Sequence, residues 1–143
     1  MRVSPQPVDF AVQITEKVRY SDTDRQGHVN NLQFGAFLEA GRAEILHGDE
    51  DLAEAGCFFV LARTAIDYIG ELHWPGAVVV ASRIVRIGRT SATIAQALFQ
   101  NDQCAAIAES VMVQVEIAGR SAAPLNELAL ATLDRLSRRS ASD

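Results

Sequence analysis

Two apolar periods divide this chain. Between residues 32 and 46, Phe34, Phe37, Leu38, Gly41 and Ile45 recur at i, i+3, i+4, i+7 and i+11, the single stripe of a helix that buries one side. Ala36, Ala40 and Ala43 widen the stripe, and Gly35 and Gly41 would let a neighbouring backbone come close. Gly48 fits the stop of that helix, and "DEDLAEAG" after it reads as a polar connection or a short helical turn. From Cys57 the period becomes two. In "CFFVLARTAIDYIGEL" the even positions Val60, Ala62, Thr64, Ile66 and Tyr68 make one nearly apolar strand face. Three more strands follow at roughly 77–87, 91–100 and 104–117, with Gly88-Arg89 and Asn101-Asp102 where tight hairpin turns belong.

Ahead of the helix, residues 12–20 read as a first strand, and residues 1–10, with Pro5 and Pro7, as an extended lead-in. After Pro124, Asn126 can cap a terminal helix over about 126–138, with Leu128, Leu133 and Leu136 on one side, and "SRRSASD" reads as a frayed tail. No internal repeat or low-complexity linker interrupts this order, so residues 1–143 are expected to form one domain. A strand, a helix and four antiparallel strands make an α+β layout in which one helix packs on one sheet.

Composition narrows the function classes without choosing among them. A chain of 143 residues with 48% hydrophobic content can build a packed core, burying roughly 70% of its unfolded surface. Its net charge of -5 argues against nucleic acid or an anionic membrane as partner, because both are held by clustered cations. No apolar run approaches the ~18 residues of a membrane span, and "MRVSPQPVDF" lacks the apolar segment of a signal peptide. Cys57 and Cys104 are isolated thiols, so no disulfide framework and a cytoplasmic location are expected.

The stretch "SDTDRQGHVNNLQF", residues 21–34, carries more chemistry than a strand-to-helix connection needs. Asn30 is a good N-cap, Gln33 can close a capping box onto it, and Val29 and Phe34 stand at the positions of a hydrophobic staple. Asn31 is then the first helical residue. Its N–H and that of Leu32 lack partners inside the helix and lie at the positive end of the macrodipole. Such a donor suits an oxygen gaining negative charge. Asp22 and Asp24 precede the cap, and Gly27 lets the chain turn back. Most caps only finish a helix, and most loop carboxylates only make turns. A carboxylate facing a helix N-terminus across a gap is, in addition, half of a site for attack on a carbonyl.

These residues resemble a known family. "RYSDTDRQGHVNNLQFGAFLEAGRAEIL" is similar to the first motif of the 4-hydroxybenzoyl-CoA thioesterase family, the hot-dog acyl-CoA thioesterases. That motif runs Asp-x-Asp-x-x-Gly-His-Val-x-Asn, followed by a helix with an aromatic residue, here Phe34, and a Glu-x-x-Arg, here Glu39 to Arg42. The resemblance continues through "LARTAIDYIGELHWPGAVVV" and "IVRIGRTSATIAQALF" to "AAIAESVMVQV", about residues 10–117. It implies a hot-dog fold, a curved antiparallel sheet wrapped around the 31–46 helix. It also implies pairing into at least a homodimer, or a homotetramer, with sites between subunits, and hydrolysis of an acyl-CoA thioester. By position, Asp24 takes the place of the catalytic carboxylate, as nucleophile or general base. The Asn31 N–H takes that of the donor that polarises the thioester carbonyl. A thioesterase acting on acyl-acyl carrier protein and a non-catalytic acyl-CoA binder remain the alternatives.

Other candidates follow from residue type and place. His28 would position substrate at the mouth of the site, and His47 and His73 read as surface residues. No two His stand at metal-ligand spacing in the chain, so neither a metal nor another cofactor is expected. Neither Cys and no Ser lies in a nucleophile elbow, which leaves a serine-hydrolase reading without support. Arg83, Arg86 and Arg89 cluster about one hairpin and are candidates to grip coenzyme A phosphates, since Arg binds phosphate bidentately. Thr64, on the expected helix-facing side of its strand, completes the substrate-binding set.

Overall fold

The computed structural model describes residues 4–138; the end of the expected tail, 139–143, lies outside them, as do residues 1–3. Five strands, β1 (Val12–Lys17), β2 (Cys57–Tyr68), β3 (Ala77–Ile87), β4 (Ser91–Gln100) and β5 (Gln103–Glu116), form one antiparallel sheet in the order β1-β3-β4-β5-β2. Helix α1 (Asn31–Ala43) packs on the sheet, and α2 (Glu127–Arg135) closes one end. This is the hot-dog arrangement, a curved sheet around one long helix.

The close approach of α1 to the sheet has a definite cause. A Cβ on Gly41 would stand 2.6 Å from Val80 Cγ1 and 2.7 Å from Gln96 Nε2, so only glycine lets the helix seat this deeply. Gly35, paired with it in the sequence reading, faces open space and has no such role. Two apolar groups line the interface. Phe34, Phe37 and Leu38 meet Val78, Val80 and Leu98 near the helix start, and Ile45 and Leu46 meet Leu52, Ile84 and Ile94 beyond its end. The lead-in covers part of the opposite sheet face. Instead of running extended, the lead-in makes a helical turn at Pro7–Asp9 and buries Phe10 against Phe99.

Several element limits differ from the sequence expectation. β1 stops at Lys17 rather than residue 20, because the chain turns at Tyr20–Asp22. The α-helix ends at Ala43, and Glu44–Gly48 continues as a wider π turn that still buries Ile45 and Leu46. Residues 49–56 are a connection pinned to the core by Leu52, whose N–H donates to the Leu46 carbonyl. On α2, Asn126 caps the Ala129 N–H at 2.8 Å as expected, but Leu128 is exposed and Ala129 and Leu133 are inside. Positions 128 and 133 are five apart, well off one helical stripe, whereas 129 and 133 are four apart.

The face assigned to β2 is correct for half of the strand. Its register against β5 slips between Leu61 and Arg63. Thr64, Ile66 and Tyr68 do face the helix side, but before the slip it is Phe59 and Leu61 that do, not Val60 and Ala62. One unpaired residue is enough to invert a period-two pattern. Both hairpins lie where expected, and Asn101 and Asp102 take the left-handed φ values of 51° and 62° that a two-residue turn requires.

Candidate active site

The loop before α1 closes on itself. Thr23 and Val29 form an antiparallel bridge, Asp24 N–H donates to the His28 carbonyl at 2.7 Å, and Gly27, at φ 82°, makes the reversal. The two acids at its start have separate surroundings. Asp22 is buried; its carboxylate accepts from the Arg19 N–H at 2.8 Å and pairs with the Arg19 guanidinium at 3.0 Å. Its carbonyl accepts from the Asn30 N–H at 2.8 Å. Asp22 therefore holds both ends of the loop. Asp24 is exposed, and its Oδ1 accepts from the Gln26 and His28 N–H groups at 2.9 and 3.2 Å. Among the described residues its Oδ2 has no partner, so one carboxylate oxygen is fixed and the other is uncommitted.

The helix start is capped differently from the expectation. Asn30 Oδ1 accepts from the Leu32 N–H at 3.0 Å, which removes Leu32 as a free donor. No capping box with Gln33 forms, because the Asn30 N–H is already committed to Asp22. Val29 and Phe34 are both buried in one cluster, as a staple requires. The Asn31 N–H has no acceptor among the described residues. Phe34 carries no hydroxyl, but Tyr68 of β2 packs on it with ring centroids 5.3 Å apart, bringing a phenol to the helix start.

Beneath α1 lies a polar cluster that spacing did not reveal. Buried Arg42 places Nη1 3.4 Å from both Gln96 Oε1 and Ser110 Oγ, and Thr64 Oγ1 lies 2.8 Å from Ser110 Oγ. Gln96 in turn donates to the Leu38 carbonyl and to Ser82, each at 2.9 Å. Burial lowers the Arg42 pKa from the ordinary guanidinium value, and the charge of Glu39 acts the other way. Arg42 Nε has no partner among the described residues. Beside this cluster a cleft of about 260 Å³ opens between α1 and β2, lined by Glu39, Arg42, Leu46, Phe59, Leu61 and Met112. Thr64 thus joins the helix side through Ser110, as its position implied.

The remaining candidates separate. His28 is half-buried beside the loop, with Nε2 3.3 Å from Glu71 Oε2, and its backbone bridges to that of His73. His73 is exposed, as expected, and is also a neighbour of His28 through a strand-like pairing no spacing rule could have found. His47 is exposed and pairs with Asp51 at 2.8 Å; the Ala53 N–H together with His47 holds the Asp51 carboxyl below its usual range. Both cysteines are free, and burial pushes the Cys104 thiol up. Arg83 and Arg86 project from β3 on the face away from α1, and Arg89 lies in the hairpin beyond it. None of the three makes an ion pair among the described residues. They do not meet Asp24 within one chain. The Asp24 loop is tied to Leu72, ahead of β3, whereas Arg86 and Arg89 stand at the other end, roughly 30 Å along the strand.

This geometry has counterparts among known structures. A thioesterase from Thermus thermophilus, complexed with coenzyme A and Zn, is 30% identical, with a TM-score of 0.76 over 90% of this chain and 96% of that one. A Pseudomonas aeruginosa protein superposes with a TM-score of 0.85 at 23% identity, covering 95% and 98% of the two chains. A 1,4-dihydroxy-2-naphthoyl-CoA thioesterase from Synechocystis gives 0.77 at 20% identity, covering 88% and 97%. At those lower identities the likeness is one of fold. No curated protein sequence matches the chain at a significant level. The profile of the thioesterase-like superfamily matches residues 18–133, spanning the Asp24 loop, α1 and all but the first strand of the sheet, and this chain belongs to that superfamily.

Proposed function

We propose that this chain hydrolyses acyl-CoA thioesters to a free carboxylic acid and coenzyme A, with Asp24 as the catalytic carboxylate and the Asn31 N–H as donor to the carbonyl oxygen. One observation carries the reading. A single closed loop holds a carboxylate with one fixed and one free oxygen, and ends in a helix N–H without an acceptor among the described residues. A donor so placed strengthens its hydrogen bond as the thioester oxygen gains charge, and such donors are worth ~10²–10³ in kcat. The free oxygen of Asp24 either attacks the carbonyl carbon, expelling the thiolate and leaving an anhydride for water to open, or removes a proton from the attacking water. Either route needs the carboxylate ionised, and neither needs much general-acid help, since a thiolate leaves readily. Accumulation of acyl-enzyme in a rapid-quench single turnover marks the first route; full turnover without it marks the second.

Within the superfamily, the Asp-x-Asp-x-x-Gly-His-Val-x-Asn motif supports a reading of the chain as one of the 4-hydroxybenzoyl-CoA thioesterase branch. The 30% identical Thermus thioesterase, complexed with coenzyme A, favours a CoA ester over a carrier-protein ester. The cleft lined by Phe59, Leu61 and Met112 is a fitting place for the far end of an acyl group, with Thr64 linked through Ser110 to Arg42 in its wall, while His28 stands beside the Asp24 loop. We further propose that two copies pair along β2. That strand is a sheet edge, exposed through residues 61–65, with Tyr68 and Ile69 also uncovered, an association-prone edge when left unpaired. Because the arginine hairpin and Asp24 lie at opposite ends of β3, phosphate binding by Arg83, Arg86 or Arg89 calls for the hairpin of a second copy.

The test is a panel of acyl-CoAs from acetyl to long-chain and aromatic, with thiol release followed, beside an equivalent acyl-carrier-protein panel. Turnover of at least one CoA ester is expected. Turnover confined to the carrier-protein esters would replace the substrate, and silence on both panels would leave a binder. Sedimentation should give a dimer or larger; an active monomer at micromolar concentration would remove the intersubunit site.

A further inference from the structure

The segment carrying Glu71 and His73 lies against the Asp24 loop, and three polar side chains converge there in a way that hydrogen bonding alone explains poorly. Glu71 Oε2 is approached by His28 Nε2 at 3.3 Å and by His73 Nε2 at 3.4 Å. Both distances exceed the ~2.7–2.9 Å of a charge-assisted N–H···O bond. They match instead the separation of two ligands on one tetrahedral ion. Metal–ligand bonds of ~2.0–2.2 Å at tetrahedral angles put neighbouring donors ~3.3–3.5 Å apart. One donor atom from each of the three residues lies within 4.8 Å of the other two. The imidazole planes stand at 81°, with centroids 5.1 Å apart, so the two rings lie edge to face rather than stacked.

The backbone holds this arrangement in place. His28 and His73 are partners in an antiparallel bridge, and the adjacent Val29 N–H donates to the Leu72 carbonyl at 2.8 Å. Gln100 clamps His73 from β4, accepting from its N–H and donating to its carbonyl, each at 2.9 Å. His28 is fixed on its other side through its carbonyl and N–H to Asp24. The backbones of both histidines are thus positioned before any ion arrives, which removes part of the ordering cost of binding.

We propose that His28, Glu71 and His73 form a binding site for a divalent transition ion of the zinc class. Two imidazoles and a carboxylate are a borderline-soft donor set, which selects zinc, cobalt or nickel over magnesium or calcium. Three protein ligands leave a fourth position open to water. The ion's role is a clip: it ties the turn bearing Asp24 to the 71–73 segment, and so stiffens the loop without entering the chemistry. This inference stands apart from the thioesterase reading, because its readouts are binding and loop protection rather than turnover.

The experiment uses tag-free protein stripped with chelator. Calorimetric titration with Zn²⁺ should show one equivalent per chain, with no competition from millimolar Mg²⁺, and Co²⁺ should develop the visible absorption of a low-symmetry four-coordinate site. His73→Ala and Glu71→Gln, each verified as folded by circular dichroism, should weaken Zn²⁺ binding at least ~10-fold, the lower end for disturbing a metal's ligand shell. Amide exchange at Gly27 and His28 should slow on Zn²⁺ addition in the parent protein but not in the variants. Absence of stoichiometric Zn²⁺ binding would overturn the site, as would binding that both variants retain. In that case the three side chains form His–Glu ion pairs and nothing more.

Discussion

The polar cluster before α1 and the polar cluster beneath it are built in opposite ways. In the 22–31 loop nearly every hydrogen bond joins close neighbours in the chain: Arg19 with Asp22, Asp24 with Gln26 and His28, Asn30 with Leu32. In the cluster beneath, Arg42, Thr64, Ser82, Gln96 and Ser110 come from α1 and four different strands. The first is exposed at Asp24 and can be altered chemically with little effect on packing. The second is buried among the residues that seat the helix, so altering it disturbs the fold. Catalysis is therefore expected to be most sensitive in the loop, and stability most sensitive beneath the helix.

The largest expected effect tests the loop. Asp24→Asn keeps an acceptor for the Gln26 and His28 N–H groups but supplies neither nucleophile nor base, so kcat should fall at least ~10²-fold. Its melting temperature should stay near that of the parent. Asp22→Asn should invert the balance, with a milder loss of turnover and a larger loss of stability, because the buried acid holds Arg19 by charge. A dead Asp22→Asn beside an active Asp24→Asn would reverse the two roles.

Gly41→Ala tests the buried side. The added methyl would meet Val80 and Gln96 at 2.6 and 2.7 Å, an overpacking that costs ~1–3 kcal/mol. The gain in helix propensity offsets at most ~1 kcal/mol. A net fall in melting temperature, with kcat of the folded protein largely retained, is expected in calorimetry and steady-state assays. An unchanged melting temperature would mean that the helix can lift off the sheet without cost.

A smaller effect is expected from the arginine hairpin. If Arg83, Arg86 or Arg89 holds coenzyme A phosphates, its replacement by Ala should raise KM while leaving kcat nearly unchanged, the signature of lost uniform binding. The change should vanish with a pantetheine thioester that lacks the nucleotide. Wild-type behaviour of all three variants on full acyl-CoA would reassign these residues to the solvated face of the sheet.

The smallest effect concerns acid. The Ala53 N–H and His47 hold the Asp51 carboxyl below its usual range. A depressed carboxylate contributes stability above its unfolded pKa of about 3.9 and loses it as pH falls through the folded value. Asp51→Asn should therefore be slightly less stable than the parent at neutral pH, and the difference should close below about pH 4 in denaturant titrations. A difference that persisted into stronger acid would point to packing rather than charge.

The sequence by itself determined what depends on neighbours in the chain. Asn30 and Asn126 cap helices through their own side chains, Asn101-Asp102 turns because those residues accept positive φ, and the period-two runs become strands. The Asp24 turn and the uncommitted Asn31 N–H belong to the same class; the helix donor was legible from the capping pattern, whereas Asp24 was set apart from Asp22 only by the resemblance to a known motif. Only the tertiary structure decided what depends on register. The slip between Leu61 and Arg63 inverts one face of β2, and bringing Arg42 to Ser110 requires α1 to be seated on the sheet. The pairing of His28 with His73 joins residues far apart in the chain through a single bridge. Local preferences are set by a few dihedral angles and one or two hydrogen bonds, whereas register is set by the packing of the whole sheet, so a one-residue offset that leaves local composition unchanged moves every side chain to the other face.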